Sequence, residues 1–600
     1  MRAAGIQLAL LLIAAGCSPG AHSAGRSTAE LIADSGFHDG PHFPVGWKYR
    51  PREPAAVAPA AMVASSAPLA TDAGVEVLRA GGNAIDAAVA VGFALAVAYP
   101  EAGNIGGGGY MLIRLADGRT AAIDYREIAP AAAFRDMYVD STGALTTASV
   151  SGRAASGIPG AVAGMAQVLA RYGSMPLARV IEPALRLARD GFIVDSVLAA
   201  SIAEKRPLIT RFAGGPTFFP GGMSLRRGSR LVQPELAATL EAIAQQGVGG
   251  FYRGRVPQLV AKEAERDCPT SVTPHWRASH GCGVITAEDF ARYRPAWRTP
   301  LRTTYRGFTI YSMPPSSSGG VTVGEALNIL EGFPSLAPYG TADYFHLAAS
   351  AFQRAFIDRN ALLGDPDFVR IPTDRLLSKR YAAERRRTIL SDRATPTAAL
   401  TAVQREGTET TPFSVVDAKG NAVSATTTLN SLYGSGVYVR GAGFFLNNEM
   451  DDFTSQPGIP NQFGLIQGAS NAIAPGKRML SAMAPTIVLD PAGRTFLLIG
   501  GRGGPRIITS VAQVILNVID HRMTLADAMS APRIHHQALP DTIRYEAGGI
   551  EPTELAKLRA MGYALGSQEK IGAQVAAIRR VRAGYEGMTD PRGDGKAAGY

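Results

Sequence analysis

The chain has 600 residues, 46% hydrophobic and 18% charged, enough for one large core or several domains of an ordinary globular type. Its formal charge of +10 is scattered, and the one dense basic run, Arg385-Arg386-Arg387, adjoins Glu384 and reads as a solvated helix end. No basic stripe interleaved with aromatics is present, which argues against nucleic acid as a partner.

In chain order, residues 1–17 read as a signal peptide, with Arg2 before an apolar run too short for a stable membrane anchor. Ala14-Ala15-Gly16-Cys17 resembles a bacterial lipobox, although Ala14 stands where Leu is usual; lipidation of Cys17 is favoured over plain secretion. Either outcome places the protein in the periplasm or at the cell surface, with no membrane contact beyond a lipid anchor. Residues 18–60 form a tether and extended lead-in. Pro68 to Arg79 predicts a helix stopped by Gly81-Gly82-Asn83, and residues 84–98 a second, very apolar one. GNIGGGGYMLIRL, a turn at Ala116-Asp117-Gly118 and AAIDYRE predict a hairpin. Cys268 and Cys282 bracket a short polar stretch. In an oxidising compartment they read as a disulfide, worth about 3 kcal/mol by chain entropy, with a metal site using His275 and His280 as the alternative.

Residues 391–409 are polar and read as a linker, after which the texture turns to strands at 413–417, 422–428, 443–446, 485–490 and 495–500. GGRGGPR then leads into a helix over about 506–520. Strands with buried helices predict two stacked sheets with helical layers outside.

The stretch TETTPFSVVDAKGNAVSATTTLN sits where linker becomes strand. A threonine hydroxyl is a weak nucleophile and needs a base. If the chain is cut between Glu409 and Thr410, the freed α-amine of Thr410 supplies that base, titrating near pH ~7.7–8.0. The Thr410 hydroxyl can make the cut itself, by attacking the Glu409 carbonyl to give an ester that water opens.

This stretch resembles the start of the small subunit of the γ-glutamyltransferases (glutathione hydrolases), an N-terminal-nucleophile family. The resemblance extends through PEAGNIGGGGYMLIR, AIDYREIAP, YSMPPSSSGG, FLNNEMDDF, PGKRMLSAMAPTIV, APRIHHQ and the closing AGY. It implies an α+β, four-layer αββα sandwich, with a large subunit over 61–409 and a small one over 410–600 forming a heterodimer after self-cleavage. It implies a reaction without metal or organic cofactor, in which γ-glutamyl compounds such as glutathione pass their acyl group to water or an amino acid. Carried over residue by residue, Thr410 is the nucleophile and Thr428 tunes it. Gly503 and Gly504 hold the oxyanion, Arg126 and Ser481 the substrate carboxylate, and Asn430, Glu449 and Asp452 its ammonium. Residues 455–471 resemble a lid loop. From its residues alone, Arg126 reads as a surface salt bridge with Glu127; His535 and His536 read as structural.

Several positions depart from the family pattern: Pro412 follows the threonine pair, Ala482 replaces a second serine, Phe463 replaces a lid tyrosine, and Arg502 and Pro505 flank the glycine pair. Arg502 is expected to bias the site toward anionic donors or acceptors. Ala482 and Arg502 leave room for a related acylase acting on other amides, such as β-lactam side chains. Pro412 leaves room for a binding lipoprotein that never matures.

Overall fold

The computed structural model describes residues 41, 43–51, 53–269, 271–400, 410–456 and 458–600. The signal segment with Cys17, and Glu409 with the end of the linker, lie outside them. Two seven-stranded antiparallel sheets dominate. One runs in the order 596–599, 62–65, 411–416, 422–428, 108–114, 120–124, 296–298; the other 56–58, 584–589, 574–581, 495–502, 486–489, 308–312, 301–305.

Both faces of the first sheet are covered at its centre, so the strands 62–65, 411–416 and 422–428 are buried along their whole length and alternate residues enter different cores. Val63, Met111, Ile113, Val415 and Val423 join the core shared with helices Pro68–Arg79, Ala84–Ala98 and Ala161–Tyr172. Met62, Ala64, Tyr110, Leu112 and Val416 point the other way, into a core with Ile487, Leu497 and Ile499 of the facing sheet. The two sheets touch directly: the Ser424 hydroxyl donates to the Ile499 carbonyl at 3.0 Å. Helices Gly319–Glu331, Ala342–Leu362 and Arg506–Ile519 cover the second sheet's outer side. The result is a four-layer αββα sandwich.

The helix over Ala84–Ala98 is buried along its whole length. A capping box starts it, with Asn83 Oδ1 accepting from the Ile85 and Asp86 amides and Asp86 Oδ2 from the Asn83 amide. Residues 443–446, expected as a strand, form no regular one. Phe445 makes only an isolated bridge to Tyr438, because Gly441 and Gly443, both at positive φ, turn the chain beside it. Cys268 and Cys282 are joined in a disulfide, with Cα atoms 5.9 Å apart. His275 instead pairs with the Val139 carbonyl at 2.7 Å, and His280 stacks on Trp276.

Candidate active site

Thr410 is buried and immediately precedes the strand Thr411–Val416. Thr411 lies opposite Thr427, and Thr428 opposite Gly108 in the next strand. The glycine run 106–109 exists for close approach. A Cβ on Gly107 would stand 2.0 Å from the Thr428 carbonyl oxygen, and one on Gly109 2.2 Å from that of Thr426. Pro412 is tolerated because pairing with the strand 62–65 begins only at Phe413, one residue later.

After Thr428 the chain turns sharply through Asn430, at φ +76°. The Asn430 amide donates to Thr428 Oγ1 at 2.8 Å, and its side chain donates to the Asn448 carbonyl at 3.0 Å. Asn447 anchors the following acidic turn: its side chain donates to the Gly106 and Gly157 carbonyls and accepts from the Gly157 and Glu449 amides. Glu449, Asp451 and Asp452 thereby fall on a buried 3-10 turn rather than in solvent.

Arg126 lies at the centre of the cluster. Its Nη1 is 2.6 Å from Glu449 and 3.5 Å from Glu127, and its Nη2 pairs with Asp452. The arginine assigned to a carboxylate and the two acids assigned to an ammonium therefore hold one another. The surface reading of the Arg126–Glu127 pair does not survive, since both side chains are fully buried beneath the 449–452 turn. Burial pushes Glu449 well above the usual carboxylate range and Glu127 up to about 7, in each case against the pull of Arg126. Burial opposes the charge of Arg126, but Glu449, Asp452 and Glu127 together outweigh it and raise its pKa.

Ser481 sits on a segment held by the SSSGG stretch. The Ser318 amide and hydroxyl donate to the Ser481 carbonyl at 2.7 and 2.5 Å, and the Ser481 amide donates to the Ser316 carbonyl at 3.0 Å. Arg359 in turn donates from Nε to Ser318 Oγ at 2.9 Å. Gly503 and Gly504 adopt φ of +123° and +55°, and a Cβ on Gly503 would lie 2.7 Å from Ala573 Cα. The helix Arg506–Ile519 follows directly, its positive end toward this turn.

One cavity gathers most of these groups: Thr410, Thr428, Asn430, Arg126, Glu449, Asp452, Ser481 and Gly504 line it together. Gly503 does not line it, although it shapes the turn. Phe463 and Leu465 of the 455–471 loop close one side. The water-accessible volume is only about 20 Å³, room for one or two waters. Arg359 also lines the cavity and was missed by the sequence reading. Its one sequence signal is a charge at helical spacing from buried Phe352 and Phe356. Arg502 does not line this cavity; its Nη1 meets Glu101 at 3.3 Å on the other side of the turn. His535 is buried, paired with Thr509 and Gln537, and held down to about 3 mainly by burial.

Two consequences can be measured. The Ala482 methyl faces the cavity beside Ser481. An Ala482→Ser variant is expected to add one hydrogen bond to a bound carboxylate and lower the donor KM by about fivefold, near 1 kcal/mol. Separately, three carboxyls (Glu127, Glu449, Asp452) surround Arg126, with Arg359 lining the same cavity. A bound ammonium is best matched when all three are ionised. Because Glu127 is raised to about 7 and Glu449 is raised too, ionisation completes only as pH rises. The inhibition constant of L-glutamate should therefore fall as pH rises through about 7. A flat profile would contradict this charge count.

A buried threonine at a strand start between two stacked sheets, with a glycine turn and helix amino terminus facing it, defines an N-terminal-nucleophile hydrolase. The family profile described as Gamma-glutamyltranspeptidase matches residues 70–600. The chain is 44% identical over 547 residues to a glutathione hydrolase proenzyme of Escherichia coli (strain K12), covering 90% of this chain and 92% of that protein. It is 39% identical over 538 residues to an acylase ACY 1 proenzyme of Pseudomonas sp. (strain SE83), covering 88% and 89%. Among solved structures, the cephalosporin acylase of Bacillus halodurans superposes with a TM-score of 0.79 at 28% identity, covering 93% of this chain and 99% of that one. The chain belongs to the gamma-glutamyltranspeptidase family.

Proposed function

We infer that the protein is a self-processing γ-glutamyltransferase and glutathione hydrolase, exported to the periplasm or cell surface. The observation that carries the chemistry is the single cavity joining Thr410 to an arginine, an amide, two carboxyls and a serine from distant parts of the chain. In the precursor, the Thr410 hydroxyl attacks the Glu409 carbonyl, and hydrolysis of the ester frees the Thr410 amine. Strands on both sides of residue 410 interleave in both sheets, so the two products remain one folded unit.

In turnover, the freed α-amine takes the proton of the Thr410 hydroxyl, whose oxygen attacks the γ-amide carbonyl of the donor. The donor's α-carboxylate inserts at Arg126 and Ser481, and its α-ammonium at Asn430, Glu449 and Asp452. It thereby separates charges that otherwise satisfy each other. The Gly504 amide, beside the helix amino terminus, stabilises the oxyanion. The amine leaving group departs with the proton, and water or an amino acid then releases the γ-glutamyl group.

A second reading, an acylase of other amides, is favoured by Ala482, which removes a polar contact from the carboxylate side of the cavity, and by the acylase relatives. Purified protein on a denaturing gel, followed by assay with a γ-glutamyl anilide, separates the readings. Two chains with anilide release support the transferase, two chains without release support the acylase, and one chain supports neither.

A further inference from the structure

Arg502 and the cavities it does line point to a role the donor site leaves unfilled. A cavity of about 740 Å³, within the size range of ligand sites, is lined by residues close in sequence to two that line the Thr410 cavity. Gly504 and Asn430 face Thr410, whereas Arg502 and Ser431, two residues and one residue away in sequence, face the larger space. Arg502, Glu101 and Lys570 also line a second cavity of about 750 Å³, so these three groups stand where the two spaces meet. The Arg502 guanidinium is almost wholly buried; it pairs with Glu101 and lies 5.6 Å from the Tyr99 ring centre. Glu101 is held on its other side by the Ser201 hydroxyl, itself 3.2 Å from the Tyr433 hydroxyl.

We propose that Arg502, backed by Lys570, is the carboxylate-recognising residue of an acceptor subsite, selecting amino acids and short peptides with a free C-terminal carboxylate. The proposal rests on the acyl-transfer reading above. It narrows the expected influence of Arg502 to acceptors, because its side chain does not enter the donor cavity. A planar guanidinium matches a carboxylate better than any other side chain does. Glu101 holds that fork until an acceptor's carboxylate replaces it. Burial already raises Glu101 to about 7, so it can take up a proton when displaced. With the carboxylate anchored there, the acceptor's other end reaches Thr410 across the edge formed by Ser431 and Gly504. Its ammonium first loses a proton to solvent. The amine nitrogen then forms a bond to the γ-glutamyl ester carbon, the bond from that carbon to Thr410 Oγ breaks, and the nitrogen's spare proton passes through the α-amine to Thr410 Oγ.

The test uses the processed enzyme with γ-glutamyl p-nitroanilide as donor and either glycylglycine or glycylglycinamide as acceptor. The wild type should prefer the acid over the amide by about tenfold in acceptor kcat/KM, the worth of one charge-assisted contact. Arg502→Gln should bring that ratio close to one, and Lys570→Gln, at an exposed position, should lower it in part. Chain processing monitors folding of each variant. A wild type that does not discriminate, or a ratio that neither variant changes, overturns the subsite while leaving anilide hydrolysis as the sign of the donor chemistry. Absence of any anilide release overturns the acyl-transfer reading and the subsite with it.

Discussion

Replacing Thr410 by alanine is expected to leave the chain undivided and to lower γ-glutamyl anilide turnover by about 10⁴-fold or more, as loss of a covalent nucleophile does elsewhere. The wild type should yield two chains, of roughly 40 and 20 kDa from their residue counts at an average residue mass, and the smaller should begin Thr-Thr-Pro-Phe. Thr410→Ser keeps a hydroxyl and an α-amine and should still be cut, more slowly. The reason for so large an effect is that one residue supplies two functions: its oxygen attacks, and its nitrogen, available only after the cut, takes the proton. Turnover by the undivided alanine variant would end the mechanism.

The second large effect concerns Arg126. Its guanidinium touches three buried carboxyls, so Arg126→Met would leave Glu127, Glu449 and Asp452 packed together without their central cation. Breaking such a cluster by removing one partner costs about 3–5 kcal/mol, even though the intact cluster is worth little net. Thermal unfolding of the variant should show that loss, together with failure to bind donor. Arg126→Lys separates the two roles. It keeps a charge among the acids and so recovers much of the stability, but it loses the planar fork and should still reduce kcat/KM by about a hundredfold. A stable Arg126→Met variant with normal donor KM would show that Arg126 neither balances the acids nor meets substrate.

Local chemistry was readable where the cause is local. The helix start at Pro68, the apolar run to Ala98 and the hairpin turned at Ala116-Asp117-Gly118 each follow from neighbours a few residues apart, whereas Asn83, read as part of a helix stop, also caps the next helix with Asp86. The strand expected at 443–446 failed because Gly441 and Gly443, both at positive φ, turn the chain there. Phe444 and Phe445 are apolar because they pack in the core shared with the helical layer, not because they extend a sheet. The four-glycine run could be seen as a turn signal, but its reason, carbonyls of Thr426 and Thr428 about two ångströms from any Cβ, belongs to a strand over 300 residues away.

By itself, the sequence determined the family pattern and pointed to the candidate nucleophile: a threonine between linker and strand, followed at set spacing by Thr428, the acidic turn and the glycine pair. Only the tertiary structure decided how the charges are spent. It closed Arg126 on Asp452, 326 residues distant, brought Arg359 to the same cavity through Ser318, and turned Arg502 away from Thr410 toward Glu101. The physical reason is that a buried charge must find its partner within a few ångströms, and distance along the chain says nothing about which partner the packed layers place there.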